Sequence, residues 1–279
     1  MAVQALSPSP LEARVLARVL ADPARVLDSR AAANGWLREV TPHPHRLVSR
    51  MAEHGLLHRV QRGLYVLEAS TIRHEVPAVE SLKAVAAVAA EQIVGSAYYL
   101  SWHSALFHHG LLDQQASTVF VGVRARKSEI SFSGYGLRFV RVSDRKFFGW
   151  DTVNVSGHSV NIANVEKALL DSLGRPALAA PFAIVVSALL GAWRSSRLDI
   201  EQLVDYAVRL GSPTLNRRLG FLMETFDIPG HERLLTLIGK GYAVSLAPGA
   251  VAAGRRWPVN SKWGVMADPR ILYAAENPK

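Results

Sequence analysis

The sequence predicts an α+β protein, in which a small amino-terminal unit of helices and a hairpin precedes a larger mixed α/β domain. Three observations carry this. The first 70 residues read as three helical patterns followed by two short strands around a glycine turn. Beyond residue 80, strand patterns cluster between helical ones, which is the α+β signature. Of the 279 residues, 49% are hydrophobic and 20% charged, enough apolar material to bury a core without disulfides or metals.

Pro10 opens the first helix. Leu11, Val15, Leu16, Val19 and Leu20 make one apolar stripe, and Asp22-Pro23 ends it. Val26-Leu27 is too short to assign. Ser29 is expected to N-cap a short alanine-rich helix from Arg30 to Trp36 or Leu37. Thr41-Pro42 then starts a third helix, with threonine as N-cap and proline in the first position. It runs to His54 and stops at Gly55, as helices do at a C′ glycine. Residues 56–60 and 64–67 are strands joined by Gln61-Arg62-Gly63, with glycine where a positive φ is needed. Helix, helix, helix, strand, turn, strand is the winged helix-turn-helix plan. It occupies residues 1–70, with 71–80 as a linker containing Pro77 and 81–279 as the second domain.

The third helix sets Leu47, Val48 and Met51 toward the core and His43, His45, Arg46, Ser49, Arg50 and His54 outward, with Glu53 as its only acid. Donors on an exposed helix suit base edges and phosphates: arginine forks onto guanine, and serine reaches either. Ser29 and Arg30 at the start of the second helix, Thr41 at the start of the third, and Arg59, Gln61 and Arg62 on the hairpin complete the expected contacts to double-stranded DNA. His43, His45, His54 and His58 invite a metal reading, but His43 and His45 diverge on a helix and no carboxylate triad accompanies them. No metal or cofactor is expected.

In the second domain, helical patterns cover 79–92, 98–109, 164–173, 177–193, 199–210 and 214–226, and strand patterns 119–123, 136–142, 151–155, 159–162 and 262–266. The apolar run 177–193 is short for a membrane span and contains Pro181 and Gly191, so it reads as a buried helix, with no membrane partner. No secretory leader is read at residues 1–10. The chain has no cysteine, which excludes thiolate metal sites and cysteine nucleophiles, and fits a cytoplasmic protein. The net charge of +9 is spread along the chain and attracts polyanions without selecting one.

The search for catalytic motifs is negative: there is no phosphate-binding lysine loop, nucleophile elbow, zincin helix or dinucleotide fingerprint. Ser101, His103, His108 and His109 share one helix without a base and orienter, and read as packing. Glu166 and Asp171 lie on a helix beside Lys167, not on the strand a metal-dependent nuclease would use. No catalytic residue is expected. Two basic groups remain: Arg124, Arg126 and Lys127 after a strand, with Arg138, Arg141, Arg145 and Lys146 close by in sequence, and Arg255, Arg256 and Lys262 interleaved with Trp257 and Trp263. They suit a second nucleic-acid patch, or equally a solvated rim around core tryptophans.

Several passages resemble the AbiEi-type antitoxins of bacterial type IV toxin–antitoxin systems, including mycobacterial members paired with nucleotidyltransferase toxins. "RLVSRMAEHGLLHRVQRGLYVL" (46–67) is similar to that family's recognition helix and wing. "YYLSWHSALFHHGL" (98–111) is similar to its Tyr-x-Ser-x-x-Ser-Ala-Leu-x-x-His-Gly-Leu. "IANVEKALLDSL" (162–173), "NRRLGFLMETF" (216–226) and "SKWGVMAD" (261–268) follow in the family's order. The resemblance implies a winged helix that binds inverted promoter repeats and represses its own operon. It also implies a carboxy-terminal domain that neutralises a toxin transferring nucleotides to RNA, with no direct contact to the toxin required. The histidines at 43, 45 and 54 depart from the family's pattern, so its base preference does not carry over. Two other classes fit the same winged helix: a DNA-acting enzyme such as a nuclease, and a protein-binding module that contacts the toxin directly.

Overall fold

The computed structural model describes residues 8–67, 79–132, 134–239, 241–247 and 257–277. The chain forms two compact units. One comprises the residues up to Tyr98 with Ser117–Val140 and Thr152–Asn161, the other Tyr99–Ala116, Arg141–Asp151 and the chain from Ile162 onward. The fold is α+β.

In the first unit, α1 (Pro10–Leu20) starts in a capping box: Glu12 N donates to Ser9 Oγ, and Ser9 N donates to Glu12 Oε2 at 2.8 Å. The three residues Val26–Asp28 form strand β1, which pairs antiparallel with β3. Helix α2 (Ser29–Ala33) follows directly. A one-turn α3 (Leu37–Val40) separates it from α4 (Pro44–Glu53). Strands β2 (Leu57–Gln61) and β3 (Leu64–Leu67) close the hairpin, with a bulge between Arg59 and Gln61 and φ of +89° at Gly63. The three strands lie in the order β1-β3-β2. Val15, Val19, Leu37, Leu47, Val48, Met51 and Leu57 share one buried cluster, so α1, α3, α4 and the hairpin pack as a winged helix-turn-helix. Helix α5 (Val79–Val94) buries Ala84, Ala86, Ala89 and Ala90 completely. The residues expected as a linker, 71–80, lie outside the described residues up to 78, and the last two belong to α5.

Three expectations for this region need correction. Asp28, not Ser29, caps α2: its Oδ1 accepts from Arg30 N at 2.9 Å and Ala31 N at 3.0 Å. Helix α4 begins at Pro44, with His43 in the N-cap position. Thr41 is buried, and its hydroxyl accepts from His43 N just before the helix. The stretch 98–109 is not one helix: Tyr98–Leu100 is β4, and α6 (His103–His108) starts after Trp102, whose φ of +52° no helix continues through.

The central strands β5 (Thr118–Val123), β6 (Ile130–Phe132), β7 (Tyr135–Arg141), β8 (Trp150–Val155) and β9 (His158–Ala163) join β4 in a six-stranded sheet of order β6-β7-β5-β4-β9-β8. Leu100 pairs with Ile162 in parallel. In the second unit, α7 (Val165–Gly174) is capped by Asn164 and buries Lys167, Ala168, Leu169 and Leu170. It packs against α8 (Phe182–Arg194), α9 (Ile200–Leu210) and α10 (Pro213–Thr225). Helix α8 is the apolar run expected to be a buried helix. No helix among the described residues is long and apolar enough to cross a membrane. After α11 (Glu232–Leu235) come two-residue strands β10 (Val244–Ser245), β11 (Val259–Asn260) and β12 (Val265–Met266), then α12 (Pro269–Glu276) against α8. The strand expected over 262–266 is therefore reduced to its last two residues.

Candidate nucleic-acid interface

Helix α4 divides its residues by face. Pro44, Leu47, Val48 and Met51 are buried, while His43, His45, Arg46, Ser49, Arg50, Glu53 and His54 are exposed or partly so. The first turn has no side-chain cap, so its backbone N–H groups face outward. Beside that turn, Asn34, Arg38, His43, His45 and Arg46 line a shallow cleft of about 410 Å³. A helix N-terminus flanked by cations in this way suits a phosphate. Arg38, which sequence reasoning missed, is oriented by donating from Nε to Ala33 O at 3.0 Å.

Two expected contacts on α4 are occupied by the protein itself. Arg50 Nε lies 3.3 Å and His54 Nδ1 3.2 Å from Glu12 Oε1. The Glu12 side chain is 4% exposed, whereas that of Arg50 is 49% exposed. Burial alone would raise the Glu12 pKa. The hydrogen bonds from Ser9 and the charges of Arg50 and His54 outweigh it and hold the carboxyl below its ordinary value. Glu12 thus ties the carboxy-terminal half of α4 to the first turn of α1. Its signal in the sequence was the Ser-x-x-Glu spacing at residues 9–12, which explains the capping box but not the tether.

On the wing, Arg59 and Arg62 are exposed, and Arg59 Nε donates to Gln61 O. Gln61 is not free: its Nε2 donates to Gln92 Oε1 at 2.9 Å and to Ala89 O on α5. Gln92 in turn donates to the α2 cap, Asp28 Oδ2, at 2.8 Å. Ser29 is also internal, donating from N and Oγ to Gly63 O at 2.8 and 3.0 Å. Arg30 lies over the wing turn, its Nε 2.9 Å from where a Cβ at Gly63 would stand. Of the expected contact residues, the structure therefore leaves His43, His45, Arg46, Ser49, Arg30, Arg59 and Arg62 turned outward. It commits Ser29, Thr41 and Gln61 to structure and shares Arg50 and His54 with Glu12.

The two basic groups of the expected second patch fall in different units. Arg124, Arg126 and Lys127 are exposed after β5 in the first unit. Lys262 belongs to the second unit and pairs with Glu224. Trp263 is fully buried and donates from Nε1 to Glu224 Oε2, so it cannot stack on a base. Arg255 and Arg256 lie outside the described residues.

Glu166, Asp171 and His109 of the second unit make internal contacts. Glu166 Oε1 accepts from Asp199 N at 2.9 Å, at the start of α9. Asp171 accepts from Lys167 Nζ, Ser101 Oγ and Tyr99 OH, at 2.5, 2.8 and 3.3 Å. His109 Nε2 lies 2.7 Å from Ala163 O.

No family model matches the sequence, and no curated protein matches it. Among solved structures, the chain is similar to the crystal structure of the Rv2827c protein from Mycobacterium tuberculosis. The TM-score is 0.66 at 15% sequence identity, covering 97% of this chain and 96% of that one. At that identity the likeness is one of fold, and it extends over the whole architecture described above.

Proposed function

We propose that the protein is a DNA-binding regulator of the antitoxin type, docking α4 in the major groove and the β2–β3 wing on the flanking backbone. The observation that carries this reading is the outward face of α4, where His45, Arg46 and Ser49 are exposed donors beside an uncapped helix N-terminus. The wing adds Arg59 and Arg62, and α3 adds Arg38. The resemblance of residues 46–67, 98–111 and 162–173 to AbiEi-type antitoxins extends the proposal to autorepression. It also extends it to neutralisation of a nucleotidyltransferase toxin in the cytoplasm.

A gel shift with the DNA upstream of its own gene tests the first part. Specific retardation is expected, and equal competition by scrambled DNA at physiological salt would overturn it. Arg46→Ala is expected to weaken specific binding by about 1–3 kcal/mol and relax the preference at one base pair. Co-expression with a nucleotidyltransferase encoded next to it tests the second part; unrelieved toxicity would count against the antitoxin role.

A further inference from the structure

In the second unit, α10 and the ends of β7 and α7 enclose a cavity of about 360 Å³. Four cations line it: Arg141, Lys146, Arg175 and Arg218. One carboxylate does, Asp171, and its charge is already met by the fully buried Lys167. Among the described residues, none of the four cations makes an ion pair.

Arg218 is the most telling. It is 9% exposed, and its one hydrogen bond among the described residues runs from Nε to Ser245 O at 2.9 Å. Its two terminal nitrogens have no such partner, although the residue lines the cavity. A guanidinium withdrawn from water without a carboxylate is unfavourable, and burial lowers the Arg218 pKa with nothing acidic to restore it. Lys146 is close enough to lower the pKa of Lys167, and Arg175 to act likewise on Tyr99, so these charges converge on one hub. Thr214, in the first turn of α10 and one turn before Arg218, also lines the cavity and offers a hydroxyl near the positive end of the helix. Trp102, Leu170 and Leu215 supply an apolar wall.

We propose that this cavity binds a small polyphosphate anion, a di- or triphosphate that is either free or carried by a nucleoside. The volume lies within the range of small-molecule sites. A single phosphate would leave much of the charge unanswered, whereas adjacent phosphates can engage several cations at once, with arginine forks as the matching geometry. The site lies in the second unit and does not rest on the DNA-binding reading.

Isothermal titration of the full-length protein with inorganic pyrophosphate, and then with ADP, tests the proposal. Saturable one-to-one binding is expected, together with a rise in Tm. Arg175→Gln and Arg141→Gln replace exposed side chains, so they leave the core intact, and each is expected to weaken binding by at least about tenfold. Arg218→Gln adds a buried arm to the test where it folds. Equal affinity for both ligands assigns the phosphate chain alone, and tighter ADP assigns a nucleotide; either supports the proposal. Absence of binding, equal binding by the Arg175 and Arg141 variants, or full displacement by sulfate at matched ionic strength would overturn it. The same variants are expected to retain promoter affinity in the gel shift, which keeps the failure of either reading separate from the other.

Discussion

Replacing Glu12 by alanine tests whether α4 is held by one carboxylate. The variant loses the acceptor for Ser9 N and the shared oxygen between Arg50 and His54. Half of a capping box accounts for about 0.5–1 kcal/mol. The pair to Arg50 is screened because that side chain is half exposed, and contributes about 0.2–1 kcal/mol. The His54 contact is similarly exposed and adds at most a comparable amount. Relief of the buried carboxylate offsets part of the loss, leaving a net destabilisation of about 1–2 kcal/mol. Urea unfolding followed by tryptophan fluorescence measures it. The sign with pH is fixed by the direction of the pKa. The folded-state pKa of Glu12 lies below its ordinary value of 4.5. The stabilisation is therefore complete above that value and is lost as pH falls through the folded-state pKa. The difference between wild type and variant is expected to shrink in acid, as pH falls through the folded-state pKa of Glu12. A difference below about 0.5 kcal/mol at neutral pH, or one that grows as pH falls below 4.5, would refute the tether. DNA affinity is expected to fall as well, although Glu12 itself faces α4 and not a ligand.

Two further substitutions probe the second unit. Lys167→Met leaves Asp171 buried with hydroxyl partners only, and is expected to cost about 3–5 kcal/mol in urea unfolding. The double variant Lys167→Met/Asp171→Leu is expected to recover most of that loss, and an equally unstable double variant would show that packing rather than charge dominates. Gly220→Ala would drive a methyl group into the Trp263 ring. Since Trp263 is fully buried, it has to shift, with an expected loss of at least about 2 kcal/mol and a changed tryptophan emission.

The winged plan was legible because it is written in local signals. Pro10, the apolar stripe of α1, and Gly63 between two apolar strands each act within a few residues of where they stand. Features set by tertiary contact were not legible. Strand β1 has three residues and is a strand only because Val26 meets Val66. Thr41-Pro42-His43-Pro44 contains two prolines, either of which could open a helix; burial of Thr41 and Pro44 decided for the second. Tyr98–Leu100 is buried on both faces, so it carries no alternation to separate it from the helix that follows. Helix α12 was missed although Asp268-Pro269 gives the usual start, an aspartate cap before a first-position proline. Within the candidate site, the existing partners of the expected donors were invisible. Gln61, Ser29 and Arg50 look as free in the sequence as Arg46 does, and their bonds lie between 28 and 38 residues away.

The tether also explains how one short helix holds itself in place and keeps an exposed polar face. At about 100° per residue, Arg46, Ser49 and His45 fall in one arc opposite the buried Leu47, Val48 and Met51. Arg50 and His54 fall at its edge, against α1, where Glu12 collects them. The cations nearest the seam hold the helix in place, and those farthest from it remain free. Glu53 closes the same arc at the carboxy-terminal end. A carboxylate there repels phosphates, while the opposite end offers free N–H groups with Arg38 and Arg46 beside them. In the proposed complex the electrostatics along α4 are therefore graded, and the helix enters the groove by its amino-terminal half. Glu53→Gln would flatten that gradient and strengthen binding to any sequence, whereas Arg46→Ala would weaken binding and blunt discrimination. A gain of non-specific affinity in the first variant and a loss of specificity in the second, measured in the same gel shift, separate a helix that reads bases from one that only rests on the backbone.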